Sequence, residues 1–205
     1  DLRRGSARPH RRTDLLTRMA GAEALPGSPC PTWLGFLDQI MGGNQELVDL
    51  LQRAVGYSLT GDVSEQCLFI LYGTGANGKS TFIETVRTVM GDYARNTPIE
   101  PVTIRREGGI PNDIAALAGA RLVTAAESQE GIALNEALVK QATGDDVMTA
   151  RFLNREFFDF LPEFKVWLST NHKPVRIEFE KLAIKRGWTR AEFEKWAEGR
   201  EWRAV

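Results

Sequence analysis

The chain has 205 residues, of which 42% are apolar and 26% charged, with a formal net charge of −1. That length holds one sizeable α/β domain with a small appendage, and the balance is that of a soluble globular protein rather than a disordered one. Near-neutral charge excludes a globally basic nucleic-acid binder, so any DNA site must be a local patch. No apolar run approaches the ~20 residues that span a bilayer, and no membrane partner is expected. The two cysteines, Cys30 and Cys67, lie far apart without metal-ligand spacing and point to a reduced, cytoplasmic protein.

Residues 1–30 are rich in Arg, Gly, Pro and Ser and read as a basic linker or the end of a lost upstream domain. Arg3, Arg4, Arg8, Arg11 and Arg12 precede no long apolar core, which excludes a secretory signal. The cluster reads as a solvated terminus, with a DNA-contacting arm as the sharper alternative. Order is expected from near Thr32. Trp33, Phe36, Leu37 and Ile40 recur at helical spacing until Gly42-Gly43. Asn44 can cap a second helix with the stripe Leu47, Leu50, Leu51 and Val55, ended by Thr60-Gly61. Both helices of the 31–62 segment read as packing rather than chemistry.

Residues 67–72 form a continuous apolar run of strand length, as expected of a parallel strand buried on both faces, with Cys67 a small buried hydrophobe. A glycine-rich loop follows at once, then a helix over 80–90 closed by Gly91. Pro98, Pro101, Gly108, Gly109 and Pro111 mark a loop region. A short helix is expected around 113–118, a second buried strand at 122–126 and a helix over 135–142. The β-rich runs 147–152 and 156–160, joined through Leu153-Asn154-Arg155, read as a hairpin. A third buried strand, 164–170, ends at Asn171. Strands alternating with helices predict an α/β fold with a mostly parallel sheet covered on both sides.

The chemistry sits first in Gly73-Thr74-Gly75-Ala76-Asn77-Gly78-Lys79-Ser80, a full G-x-x-x-x-G-K-S/T phosphate-binding loop between a strand and a helix. Gly73, Gly75 and Gly78 permit backbone turns that aim successive amide N–H groups at one anion. The following helix adds its positive end. Lys79 supplies a point charge for the β- and γ-phosphates of ATP, and the Ser80 hydroxyl is placed for Mg2+. The bland alternative, a plain glycine turn, leaves Lys79 without a purpose. Such a site needs an acid at the end of a neighbouring strand. Glu127 fits, with Glu130 as the weaker second choice and a surface carboxylate as the bland reading. Asn171, at the end of the third strand, can read the γ-phosphate or position water; taken alone it is a turn residue.

Four ordered segments, residues 73–81 (ending Ser80-Thr81), 119–127, 140–146 and 169–174, resemble the superfamily 3 helicase domain of phage and plasmid primase–helicases, a group that includes the poxvirus-type enzymes. The helical stretch from Cys30 to Gly61 is similar to the segment preceding that domain, and the likeness covers about residues 10–175. The resemblance implies a P-loop NTPase core of AAA+ type over 63–174, which assembles into a homo-oligomeric ring, usually a hexamer, and moves along single-stranded DNA using ATP and Mg2+. It makes Lys79 and Ser80 the triphosphate and metal residues, Glu127 the end of the second motif and Asn171 the sensor. Lys140, Thr143, Gly144, Asp145 and Arg151 fall in the family's extra motif, ahead of a hairpin facing the ring channel. Arg151 and Arg155 are then the expected DNA contacts, since a phosphate tracker needs fixed positive charge; otherwise they are a solvated hairpin edge.

Two departures stand out. Ala126 precedes Glu127 where many members have two adjacent acids, so one carboxylate would serve both metal and water. After Pro174 the segment that should carry a neighbour-reaching arginine is not recognisable, and no primase domain is seen. The helical tail over 175–205, with Thr189 and Glu192 as a capping box, reads as foreign to the family. A truncated or rearranged chain is therefore expected, one that binds ATP but hydrolyses it slowly. The rival readings are a nucleotide-binding remnant with little turnover and a small-molecule kinase. Residues 140–146 argue against the kinase, which has no use for that motif.

Overall fold

The computed structural model describes residues 8–25, 27–97, 112–127 and 136–171, with the backbone alone at 112, 113, 127 and 136–138. Helices α1 (Pro31–Ile40) and α2 (Gln45–Leu59) come first. Then follow β1 (Leu68–Tyr72), α3 (Lys79–Met90), β2 (Ala94–Asn96), α4 (Asn112–Ala115), β3 (Leu122–Glu127), α5 (Glu136–Thr143), β4 (Met148–Ala150), β5 (Phe158–Phe160) and β6 (Lys165–Thr170). The main sheet has the order β1-β6-β3-β2 with every pairing parallel. β4 and β5 form a separate antiparallel pair, with Asn154 in the left-handed region (φ 58°) at the expected turn.

Alternation along the strands decides which helices cover which face. Leu122 and Trp167 join one cluster with Leu37, Ile40, Leu51, Phe82, Val86 and Met90, the inner faces of α1, α2 and α3. Their chain neighbours Val123 and Val166 join Ile114, Leu117, Ala142, Met148 and Phe164 on the other face. This is the period-2 rule of a sheet buried on both sides. The 31–62 segment is therefore a wall of the core. Trp33 stacks on Phe36 and on Phe82, and Phe82 meets Trp167. The Trp167 indole donates to Ser58 Oγ at 3.0 Å, and Ser58 donates in turn to Ala54 O.

Several expectations change. β1 is half-buried along its whole length rather than enclosed, because among the described residues it pairs only with β6 and stands at the outer end of the sheet. Cys67 is likewise half-buried, and β1 begins after it. β2 was not expected, since three residues are too few to show a period. Ahead of Thr32 the chain already makes specific bonds. Arg18 donates to Asp92 O and Ala118 O, while Met19 and Asp92 exchange two hydrogen bonds. Gly91 (φ 54°) lets this strand of chain pass, since a Cβ there would lie 2.5 Å from Gly21 N. Arg8 pairs with Asp14; Arg3 and Arg4 lie outside the described residues, as does the whole tail from 172.

Candidate functional site

All four parallel strands end on one side, and there the chain between β1 and α3 wraps into the phosphate-loop geometry. Gly73 N donates to Thr170 O and so carries the β1–β6 pairing past Tyr72. The loop then closes onto α3 through Phe82 N to Gly78 O at 2.9 Å. Gly78 is required twice over. Its φ is +83°, and a Cβ would lie 2.6 Å from Ile40 Cγ2 and 3.2 Å from Phe36 Cε2. Helix α1 is thus the floor of the loop, a role its apolar stripe did not reveal in the sequence. Gly75 does not take a positive φ; the non-glycine residue Ala76 does, at +60°.

A cleft of about 360 Å3 opens above this loop, lined by residues 75–81 together with Ala126, Ser169, Thr170 and Asn171. Three separate stretches of sequence meet here: the loop, the end of β3 and the end of β6. The register explains why, since Tyr72 lies opposite Thr170 and Glu127 opposite Thr170 on the other side of β6. Ligand crevices in open parallel sheets lie outside the carboxyl ends of the strands, where this one is. Lys79 and Ser80 open α3, so the unpaired N–H groups and positive end of a 12-residue helix face the cleft.

The Lys79 ammonium is held inside the loop. It donates to Gly73 O at 2.5 Å and to Asn77 Oδ1 at 2.9 Å, with Thr74 O at 3.5 Å. Burial lowers its pKa below the ordinary lysine value. Asn77 is 7% exposed, and its Nδ2 has no hydrogen-bond partner among the described residues. A half-buried cation and an orphaned buried donor beside a helix N-terminus fit a polyanion. Of Glu127 only the backbone is described, at the end of β3, and Glu130 lies outside the described residues. Among the described residues no cluster of three His, Cys, Asp or Glu could hold a metal by itself.

The hairpin residues stand apart from the cleft. Arg151 and Arg155 are both exposed, and the Arg151 guanidinium sits over the Phe157 ring at 4.8 Å from its centre. Of the extra-motif residues, Thr143 is buried and donates to Val139 O, while Lys140 and Asp145 are exposed. Ala126, Ser169 and Thr170 also line the cleft, although nothing in the sequence around them points to a role there. Small side chains leave no periodic or chemical signature, and only the strand register brings them in. No helix among the described residues is long and apolar enough to cross a membrane.

A protein of Acanthamoeba polyphaga mimivirus bearing the name "Putative helicase L207/L206" is 30% identical over 143 residues, which is 69% of this chain and 15% of that protein. An apo structure of the NrS-1 C-terminal region superposes with a TM-score of 0.65 at 13% identity, covering 88% of this chain and 46% of that one. A second apo structure of the NrS-1 C-terminal region, residues 305–718, gives a TM-score of 0.60 at 12% identity over 80% and 39%. The chain therefore spans less than half the length of each of these proteins. At such identities the structural likeness speaks for the fold, the P-loop-type α/β sheet just described. Residues 71–186 match the family described as "Family of unknown function (DUF5906)". Because that match takes in more than half of the chain, from the last residues of β1 through the loop and β6, this protein is a member of the DUF5906 family.

Proposed function

We propose that this chain is the ATP-binding module of a replication helicase of the superfamily 3 kind, one that couples nucleotide binding and hydrolysis to contact with single-stranded DNA. The observation that carries the reading is the cleft in which the phosphate loop, the end of β3 and Asn171 converge. The likeness to a mimivirus protein named as a helicase gives it independent support.

In this reading the amides of residues 75–80 and the start of α3 bind the phosphate chain, and Lys79 leaves its loop carbonyls to neutralise the β- and γ-phosphates. Ser80 and Glu127 would hold Mg2+, which when bound would offset the negative charge of the phosphates. Glu127 also orients the attacking water, and Asn171 reports on the γ-phosphate. Arg151 and Arg155 track DNA phosphates from the hairpin, and the protein works as a homo-oligomeric ring.

Reciprocal linkage provides the test. ATP–Mg2+ affinity of the chain is measured by calorimetry with and without an oligothymidylate. The expected shift is about 5-fold or more, and the affinity of the oligonucleotide changes by the same factor when ATP is added. Replacing Arg151 and Arg155 with Ala should weaken DNA binding for all sequences alike and reduce its salt slope by about 2. Glu127→Gln should keep ATP affinity while suppressing turnover. ATP binding that ignores DNA, with phosphate passed to a small acceptor, would refute the helicase reading in favour of a kinase.

A further inference from the structure

Asn77 is placed to do more than shape the loop. An ammonium only donates, so the carboxamide atom 2.9 Å from Lys79 Nζ must be the oxygen, which fixes the orientation of the group. The other half of the carboxamide, Nδ2, is then a donor in a side chain 7% exposed, with no partner among the described residues. A buried amide N–H group without a partner is costly to keep. Asn77 nevertheless belongs to the wall of the cleft, one residue before the helix start that faces it.

We propose that Asn77 is a positioning and phosphate-sensing residue. Its oxygen keeps the Lys79 ammonium inside the loop before nucleotide arrives, and its NH2 group, covered in this structure, turns to donate to a phosphate oxygen once the loop is filled. One side chain thereby carries the cation to the site and supplies a second hydrogen bond to the same anion. An isosteric carboxylate can do the first of these tasks and is repelled in the second. The inference rests on the reading of this cleft as a triphosphate site.

The test compares the parent chain with Asn77→Ala and Asn77→Asp, titrated with ATP–Mg2+ by calorimetry from pH 5 to pH 8, with melting temperature recorded for each. The expected order of affinity at pH 8 is Asn, then Ala about 10- to 100-fold weaker, then Asp weaker still. The gap between Asp and Ala should narrow toward pH 5 as the carboxylate takes up a proton. A merely structural residue would instead show in Asn77→Ala as a lowered melting temperature with ATP–Mg2+ affinity close to the parent's. Ala binding as tightly as the parent, or Asp binding better than Ala at pH 8, would overturn the role of Asn77. Failure of the parent itself to bind ATP–Mg2+ would overturn the underlying reading of the cleft instead.

Discussion

Two lysines near opposite ends of the sheet make nearly the same bonds and serve different ends. Lys79 donates to Gly73 O at 2.5 Å, and Lys165 donates to Thr60 O at 2.6 Å. Burial lowers the pKa of each, that of Lys165 to about 8, with the nearby Arg121 adding to the effect. What separates them is access. Lys79 faces a cleft of about 360 Å3. Lys165 is 2% exposed and capped by the Tyr57 ring, 4.4 Å from its ammonium. Its ammonium ties the end of α2 to the first residue of β6, about 16 Å of strand away from the cleft. A buried cation on a backbone carbonyl is therefore no sign of a site unless an anion can reach it.

The largest effect expected from breaking this contrast is on binding. Lys79→Ala should weaken ATP–Mg2+ by about 100-fold or more, since charge-assisted hydrogen bonds contribute about 1.5–3 kcal/mol each. Its unfolding midpoint in urea should barely move. Equal ATP affinity in the variant and the parent would remove the cleft from consideration.

Lys165→Ala should do the opposite. It leaves the Thr60 carbonyl without its donor and opens a cavity beneath Tyr57, so about 2–3 kcal/mol of unfolding free energy should go. ATP affinity should stay within twofold. The same residue carries a pH signature. Its pKa is about 8 in the folded chain, against 10.5 for an ordinary solvated lysine, so between those values the unfolded chain binds more protons. Stability from this group therefore rises as pH climbs from about 8 toward 10.5. A parent-minus-Lys165→Met difference in unfolding free energy that stays flat across that range would show that the lysine is not desolvated as described.

The smallest effect sharpens the role of the helical segment. Ser58→Ala leaves the Trp167 indole N–H without its partner and should cost about 1–2 kcal/mol. A neutral result would mean that α2 is held to the sheet by apolar contact alone.

Much of this was legible beforehand because it is local. The strand, loop and helix around Lys79 follow one another in the chain, and their signals are an apolar run, three glycines and a helical period. Asn44 accepts from Leu47 N as a cap should, and the turn at Asn154 joins the hairpin. The illegible parts depend on partners far away in sequence. Arg18 reaches carbonyls 74 and 100 residues on. Lys165 sat in a run read as a buried strand, with nothing nearby to name Thr60 and Tyr57 as its partners. The half-burial of β1 follows from its place at the end of the sheet, and strand order is a property of crossovers rather than of composition.

By itself, then, the sequence determined the longer elements and the loop, because periodicity and turn chemistry act over a few residues. Tertiary structure decided what the loop faces. Only the parallel register of β1, β6 and β3 sets Ala126, Thr170 and Asn171 around the helix start at Lys79, and only the packing of α1 adds a steric reason for Gly78 to the one its positive φ already gives. Strand pairing and side-chain contact act between residues brought together in space, whatever their separation along the chain, and that difference of range divides what could be read from what had to be seen.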